Sequence, residues 1–215
     1  KFYCANSVIT GSKINTICQG GGGKYKYSDW QDMDFNISDK YFTWGWSEYS
    51  SKCIQGFFVK DITYRRSSNK NQKHLLHIML SQYRYVKGID ATPSYQQYVN
   101  EYLNDQFEFL NALKQEIRKE VITKLSFDQE NSLQERINDK CPGLNYATMK
   151  NNYNKLMKES KLIVTTYNCT TPVEALYMNV PTIIYWRPDH WELSPSATPL
   201  FDKLRDCGVF HDTPE

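Results

Sequence analysis

The chain has 215 residues, 40% hydrophobic and 23% charged, with a formal net charge of +2. That is enough apolar material for a buried core in one or two domains, and too little positive charge, with no dense basic run, to point to nucleic acid. No apolar run approaches the ~20 residues a membrane-spanning helix needs, no secretory leader opens the sequence, and six scattered cysteines without zinc-like spacing indicate reduced thiols of a cytoplasmic protein.

In chain order, Lys1 to Ala5 has strand character and begins without an initiator Met, so the sequence reads as a piece of a longer protein. Short strands are predicted at Ile14–Gln19, Tyr41–Trp46 and Gln55–Val59. Gly20 to Gly23 follow the first of these strands. Such a run permits positive φ and close approach of backbone to a ligand, and it is equally a plain flexible loop. No GxGxxG accompanies it, so a dinucleotide fingerprint is not supported. Residues 61–73, DITYRRSSNKNQK, are polar and aperiodic and read as a linker.

His74 to Ser81, HLLHIMLS, reads as the buried opening strand of a second domain. Arg84 lies just beyond it, either as a guanidinium able to fork onto phosphate or as a surface Arg between tyrosines. A long helix is predicted over Ser94–Lys119, with Ser94 as its cap and Tyr95, Tyr98, Tyr102, Phe109 and Leu113 as its apolar stripe. Glu120–Leu125 is a strand, residues 126–146 show no periodic element, and a helix spans about Ala147–Ser160.

Lys161 to Trp186 is the most informative stretch, reading as one βαβ unit with strands at Leu162–Tyr167 and Val180–Trp186. Its turn carries Thr165, Thr166, Asn168, Thr170 and Thr171 where a strand's C-terminal end meets a helix N-terminus, the place where open α/β sheets bind phosphorylated ligands. The competing reading is local: Thr171, Pro172 and Glu174 have the spacing of a capping box, with Asn179 as the helix stop. After an irregular loop, a helix over Thr198–Cys207 ends at Gly208. The alternation of strand and helix predicts a mainly parallel α/β fold.

Several strings together resemble a bacterial family of surface-carbohydrate transferases with the GT-B glycosyltransferase architecture of two facing Rossmann-like domains. They are Gln19–Tyr25 (QGGGGKY), Ile37–Trp46 (ISDKYFTWGW), Arg84–Tyr85, Thr166–Glu174 (TYNCTTPVE), Asn179–Thr182 (NVPT), Trp186 with His190, Trp191 and Glu192, and Gly208–Glu215 (GVFHDTPE). The resemblance covers nearly the whole chain. It implies that residues 1–70 are the last part of an N-terminal acceptor-side domain and that residues 71–215 form the C-terminal, donor-binding domain.

The resemblance further implies that Thr166, Asn168, Thr170 and Thr171 hold the donor phosphates, that Arg84 neutralises diphosphate charge, and that Glu174 serves ribose or sugar hydroxyls as well as the cap. Gln19, Gly20, Gly21 and Gly22 become the facing cleft loop. The implied activity moves a sugar from a nucleotide-sugar donor to a surface polysaccharide or lipid-linked acceptor, in the cytoplasm or at the membrane's inner face. It needs no metal and no cofactor beyond that substrate, and segments outside this sequence would give peripheral membrane association. The chain departs from the family in two places: Gly20 stands where the family has histidine, and an acidic residue and a histidine expected upstream of ISD become Gln31 and Met33. Proton transfer from the acceptor hydroxyl is worth roughly a hundred to ten thousand-fold, and Asp32, Asp34 and Asp39 remain as bases. Asp39, inside a retained motif, is the expected catalytic residue, with capping of the turn before Tyr41 as its alternative. Two other functions fit the same architecture: a polyol-phosphate (glycerophospho) transferase, and a catalytically degenerate nucleotide-binding homologue, which Gly20 and Met33 favour. A flavodoxin-like module is disfavoured, since Ser81, Gln82 and Tyr83 stand where its acidic or flavin-binding cluster belongs.

Overall fold

The structure, a computed structural model, describes residues 2–18, 20, 31–46, 50–56, 72–82, 93–125, 132–148 and 152–215. Every strand pair among them is parallel. Helix α1 (Phe2–Ile9) opens the chain, where strand character was expected for Lys1–Ala5. No neighbouring strand takes its backbone groups, so the chain satisfies them locally, closing the helix with Thr10 N–H on Asn6 and Gly11 at φ +88.

Strands β1 (Asn15–Ile17), β2 (Lys40–Thr43) and β3 (Cys53–Gln55) form a three-stranded sheet in sequence order, with helix α2 (Gln31–Ile37) between the first two. All three strands are shorter than the expected runs. Strand β2 ends in a turn at Gly45, φ +107, where Thr43 Oγ1 receives the Trp46 amide at 3.1 Å. Cys18, Tyr41 and Cys53 are the buried centre of this sheet's small core, with Phe35 edge-on to Tyr41. Gly56 donates to Thr43 O at 3.0 Å, and a Cβ there would lie 2.5 Å from that oxygen, so only glycine fits. The expected linker falls largely outside the described residues.

Strands β4 (His74–Met79), β5 (Val121–Leu125), β6 (Asn145–Tyr146), β7 (Ser160–Thr165), β8 (Thr182–Tyr185) and β9 (Phe210–His211) form a six-stranded sheet in the order β6-β5-β4-β7-β8-β9. Counted from β4 this is 3-2-1-4-5-6, the order of a Rossmann sheet. All six residues of β4 are buried, as a central strand covered on both faces requires. One face packs Leu75 and Met79 with Leu103, Leu110, Leu133 and Ile137. The other packs Leu76 and Ile78 with Leu156, Met157, Ala175 and Met178.

The long helix expected over Ser94–Lys119 is a succession of shorter pieces. Ser94 and Gln97 form a capping box for α3 (Tyr95–Gln97), a π-helical turn follows at Tyr98–Tyr102, and α4 (Leu103–Ala112) continues it without leaving helical dihedrals. Leu113 is extended, and α5 (Gln115–Arg118) is separate. The stretch read as aperiodic contains α6 (Leu133–Lys140) and β6; Leu133 and Ile137 alone, one helical turn apart, bury its inner face. Helix α7 (Tyr153–Lys158) is shorter than expected, with Asn152 as its cap. The βαβ unit forms as read, with α8 (Thr170–Tyr177) between β7 and β8. Asn179 at φ +55 and the bond from Val180 N–H to Ala175 O end α8 in a Schellman turn. Helix α9 (Thr198–Asp206) ends near Gly208, φ +69.

Beneath α4, the Gln106 side-chain oxygen accepts from Tyr185 OH at 2.6 Å and from His77 Nε2 at 3.1 Å, while its amide donates to Tyr102 O. His77 is therefore the Nε2–H tautomer, and its Nδ1 is buried without a partner. Burial lowers its pKa from 6.5 to about 4. Because the folded value lies below the unfolded one, the unfolded chain binds the extra proton between them. Stability is then intact above pH 6.5 and is lost as the pH falls towards 4, by about 3 kcal/mol in all. Urea unfolding from pH 7.5 down to 4.5 should show this decline, and His77→Gln should flatten it; equal slopes in the two proteins would remove His77 as the cause.

Candidate functional site

The strand order reverses between β4 and β7, and in open α/β sheets ligands bind outside the carboxyl ends of the strands at such a point. In this chain two tyrosines of the π-helical turn organise that crevice. Tyr98 OH donates to Leu80 O at 3.1 Å and Tyr102 OH accepts from Leu80 N–H at 2.6 Å, so both polar groups of the first residue beyond β4 are satisfied by phenols. Thr166 Oγ1 donates to Ile78 O at 3.0 Å, which leaves Tyr102 OH as the donor in the 2.6 Å contact with Thr166 Oγ1. The result is a one-way chain from Leu80 N–H through Tyr102 and Thr166 to Ile78 O, tying β4 to the end of β7. The two rings stack at 5.2 Å.

Thr166 is therefore fully buried and engaged with Tyr102 and Ile78. Asn168, two residues on, is 3% exposed, and neither its Nδ2 nor its Oδ1 has a hydrogen-bond partner. The Thr165 hydroxyl is in the same condition. Thr170 and Thr171 open α8, but the cap is Cys169, whose sulfur accepts the Thr171 N–H at 3.2 Å. This corrects the capping-box reading: Thr171 is the second helical residue, and Glu174 lies too far into the helix to reach back to the cap. Burial pushes the Cys169 thiol and the nearby Tyr153 and Tyr167 phenols up, so all three are neutral at pH 7. Glu174 is 7% exposed and supplies the negative charge among them.

Lys124, which the sequence reading passed over, ends on the same side. It stands near the C-terminal end of β5, its ammonium 4.8 Å from the Tyr153 ring centroid, with burial and then Glu174 and Cys169 as its electrostatic surroundings. In sequence it is one lysine in a short strand; only the sheet register reveals its place.

The loop after β8 is pinned to the π-helical turn and α4. Arg187 makes a two-bond fork onto Asp105, both at 2.7 Å, and His190 Nε2 lies 3.1 Å from Glu101. Trp191 packs edge-on against Tyr102 and Trp186. Glu101, Asp189 and His190 bring one ligand atom each within 4.8 Å of one another, a spacing a cation could bridge. The Arg187 guanidinium, coupled to both carboxylates, opposes a cation there. A cavity of about 520 Å3 lies beyond this loop, walled by Trp186, Trp191, Phe210, Glu192 and Arg205; Arg205 is already committed to Asp202 and Asp212.

Of the remaining expected residues, Asp39 is exposed and its carboxylate accepts the Ile14 N–H at 2.8 Å, fastening β1 to β2. Gly20 O accepts from the Cys18 thiol. Gln19, Gly21, Gly22 and Arg84 lie outside the described residues.

A profile of the LIC12162 family transferases matches residues 1–215. The chain belongs to that family. No curated protein sequence matches this LIC12162 family member. Among solved structures, MurG of Acinetobacter baumannii is similar over 96% of this chain and 55% of its own, at 10% identity and TM-score 0.46. TarM is similar over 86% of this chain and 38% of its own, at 12% identity and TM-score 0.48. The family member thus spans about half or less of the length of either structure.

Tyr102→Phe keeps the ring stack but breaks the one-way chain, leaving Leu80 N–H and the Thr166 oxygen without it. It should cost about 1–3 kcal/mol in urea unfolding, and Tyr98→Phe, which releases only Leu80 O, should cost less. Equal costs would mean that Tyr102 does not hold the crevice together.

Proposed function

We propose that the protein is a glycosyltransferase of GT-B type that takes a sugar from a nucleotide-sugar donor to a surface polysaccharide or lipid-linked acceptor. Residues 71–215 form the donor side in this reading, and residues 1–70 contribute to the acceptor side. The observation that carries it is Asn168: a buried side-chain amide with four hydrogen-bonding positions and no partner, in the turn between β7 and α8 at the switch point of a Rossmann sheet. Leaving such groups unpaired costs about 1–3 kcal/mol each, and a bound phosphate or sugar hydroxyl relieves that cost.

The chain's own groups divide the work. The N-terminus of α8 favours the donor's negative charge through its dipole, and the hydroxyls of Thr170 and Thr171 lie in the first turn to receive phosphate oxygens. Thr166 positions the turn through Tyr102. Glu174 accepts from ribose or sugar hydroxyls. Charge on the diphosphate is offset by α8 and Arg84, without metal. Asp39 takes the acceptor's proton, releasing its bond to Ile14 N–H.

That same bond favours a second reading, a nucleotide-binding homologue without transfer, because it gives Asp39 a structural task already. Isothermal titration with CMP, CDP, UDP and GDP should show binding of at least one, weakened about tenfold in Asn168→Ala. Binding of none would overturn the donor site. Donor hydrolysis by the wild type and by Asp39→Asn then separates the two readings: turnover lost in the variant supports transfer, and no turnover in either supports binding alone.

A further inference from the structure

The register of the six-stranded sheet places Lys124, Ile78 and Thr165 in one row across β5, β4 and β7. Ile78 packs in the core on the α7 and α8 side of the sheet, so Lys124 and Thr165 share that face, flanking the central strand near its carboxyl end. Two strand spacings, about 10 Å, separate their backbones. A lysine side chain spans much of that gap, which explains how the Lys124 ammonium comes to sense Cys169 and Glu174 at the start of α8.

Among the described residues Lys124 has one close contact, the face of the Tyr153 ring, and no hydrogen bond or ion pair. Glu174 acts on it through space without bridging to it within 4.0 Å. Three ammonium protons, the Thr165 hydroxyl and the Asn168 amide therefore converge on the same end of the sheet without partners. The N-terminus of the eight-residue α8 adds positive potential there. A half-buried cation held over an aromatic face, beside a helix N-terminus and an unpartnered amide, is arranged for an anion. The nearby Glu174 carboxylate limits where that anion can lie, keeping it on the β5 and turn side of the crevice.

We propose that Lys124 is the cation that receives the terminal phosphate of a nucleoside diphosphate at the start of α8, so that the site discriminates by charge in favour of diphosphates. The assignment rests on the donor-site reading above and adds to it the residue that sets the ligand's charge class. Lys124 meets phosphate as a compact point charge with rotatable donors, Asn168 supplies a neutral hydrogen bond, and Glu174 is left to the hydroxyls.

Titration calorimetry on the wild type, Lys124→Met and Lys124→Arg tests it, with CDP, UDP and GDP, their nucleosides, and inorganic pyrophosphate as probes at low and high salt. Lys124→Met keeps the apolar stem over Tyr153, and Lys124→Gln makes the same comparison if the first variant does not fold. The variant without charge should bind the diphosphate and pyrophosphate about tenfold or more weakly, leave nucleoside affinity unchanged, and show a shallower salt dependence. Lys124→Arg should stay within about threefold of the wild type. Wild-type diphosphate affinity in Lys124→Met overturns the inference and leaves the donor site standing; a wild type that binds neither diphosphates nor pyrophosphate overturns both.

Discussion

The peptide of Leu80 is the constraint on which the rest of the molecule turns. A central parallel strand must stop somewhere, and at its end the backbone loses its ladder partners while still buried. Here Tyr98 and Tyr102 take the place of those partners, one accepting from Leu80 N–H and the other donating to its carbonyl. Because Tyr102 also donates to Thr166, the same phenol that ends β4 fixes where β7 gives way to the turn before α8. The crevice at the switch point is thus built by side chains, and its shape follows from a π-helical turn that presents both rings in one stack.

Around that point the polar groups fall into two kinds. On the α4 side they are paired: Gln106 with His77 and Tyr185, Asp105 with Arg187, Glu101 with His190. Those pairs hold the loop after β8 against the helix, and the neutral His77 beneath them keeps that side free of buried charge. On the α8 side Lys124, Thr165 and Asn168 lack hydrogen-bond partners among the described residues. A fold that satisfies its buried polar groups on one face of a sheet and leaves them open on the other has divided support from binding.

The βαβ unit was legible because strands covered on both faces spell continuous apolar runs, and because Asn179 is one of the few residues comfortable at positive φ. The cap of α8 was misread for a chemical reason. Cysteine is a weak acceptor and seldom caps, so the spacing of Thr171 and Glu174 suggested a box one turn too late. Helix α6 escaped notice because two apolar residues suffice to dock it, fewer than a periodic pattern needs. Thr166 was singled out correctly as part of the crevice, but its hydroxyl faces Tyr102 and Ile78, a relation between residues 64 and 88 positions apart that no local pattern encodes. Lys124 was invisible for the same reason: its significance is a register, Lys124 to Ile78 to Thr165, which exists only once β5 and β7 flank β4.

The π-helical turn also makes the molecule sensitive to a kind of change that ordinary helices absorb. Its wide turn holds one residue more than a regular helix would, and deleting one residue from Tyr98–Tyr102 would restore α geometry while rotating everything downstream by about 100°. Asp105 would turn away from Arg187, Gln106 from His77 and Tyr185, and one phenol from Leu80. Substitutions in α4 act on one contact at a time, whereas this deletion would shift the whole face out of phase. The chain length of that segment is therefore under tighter constraint than the identity of most residues in it.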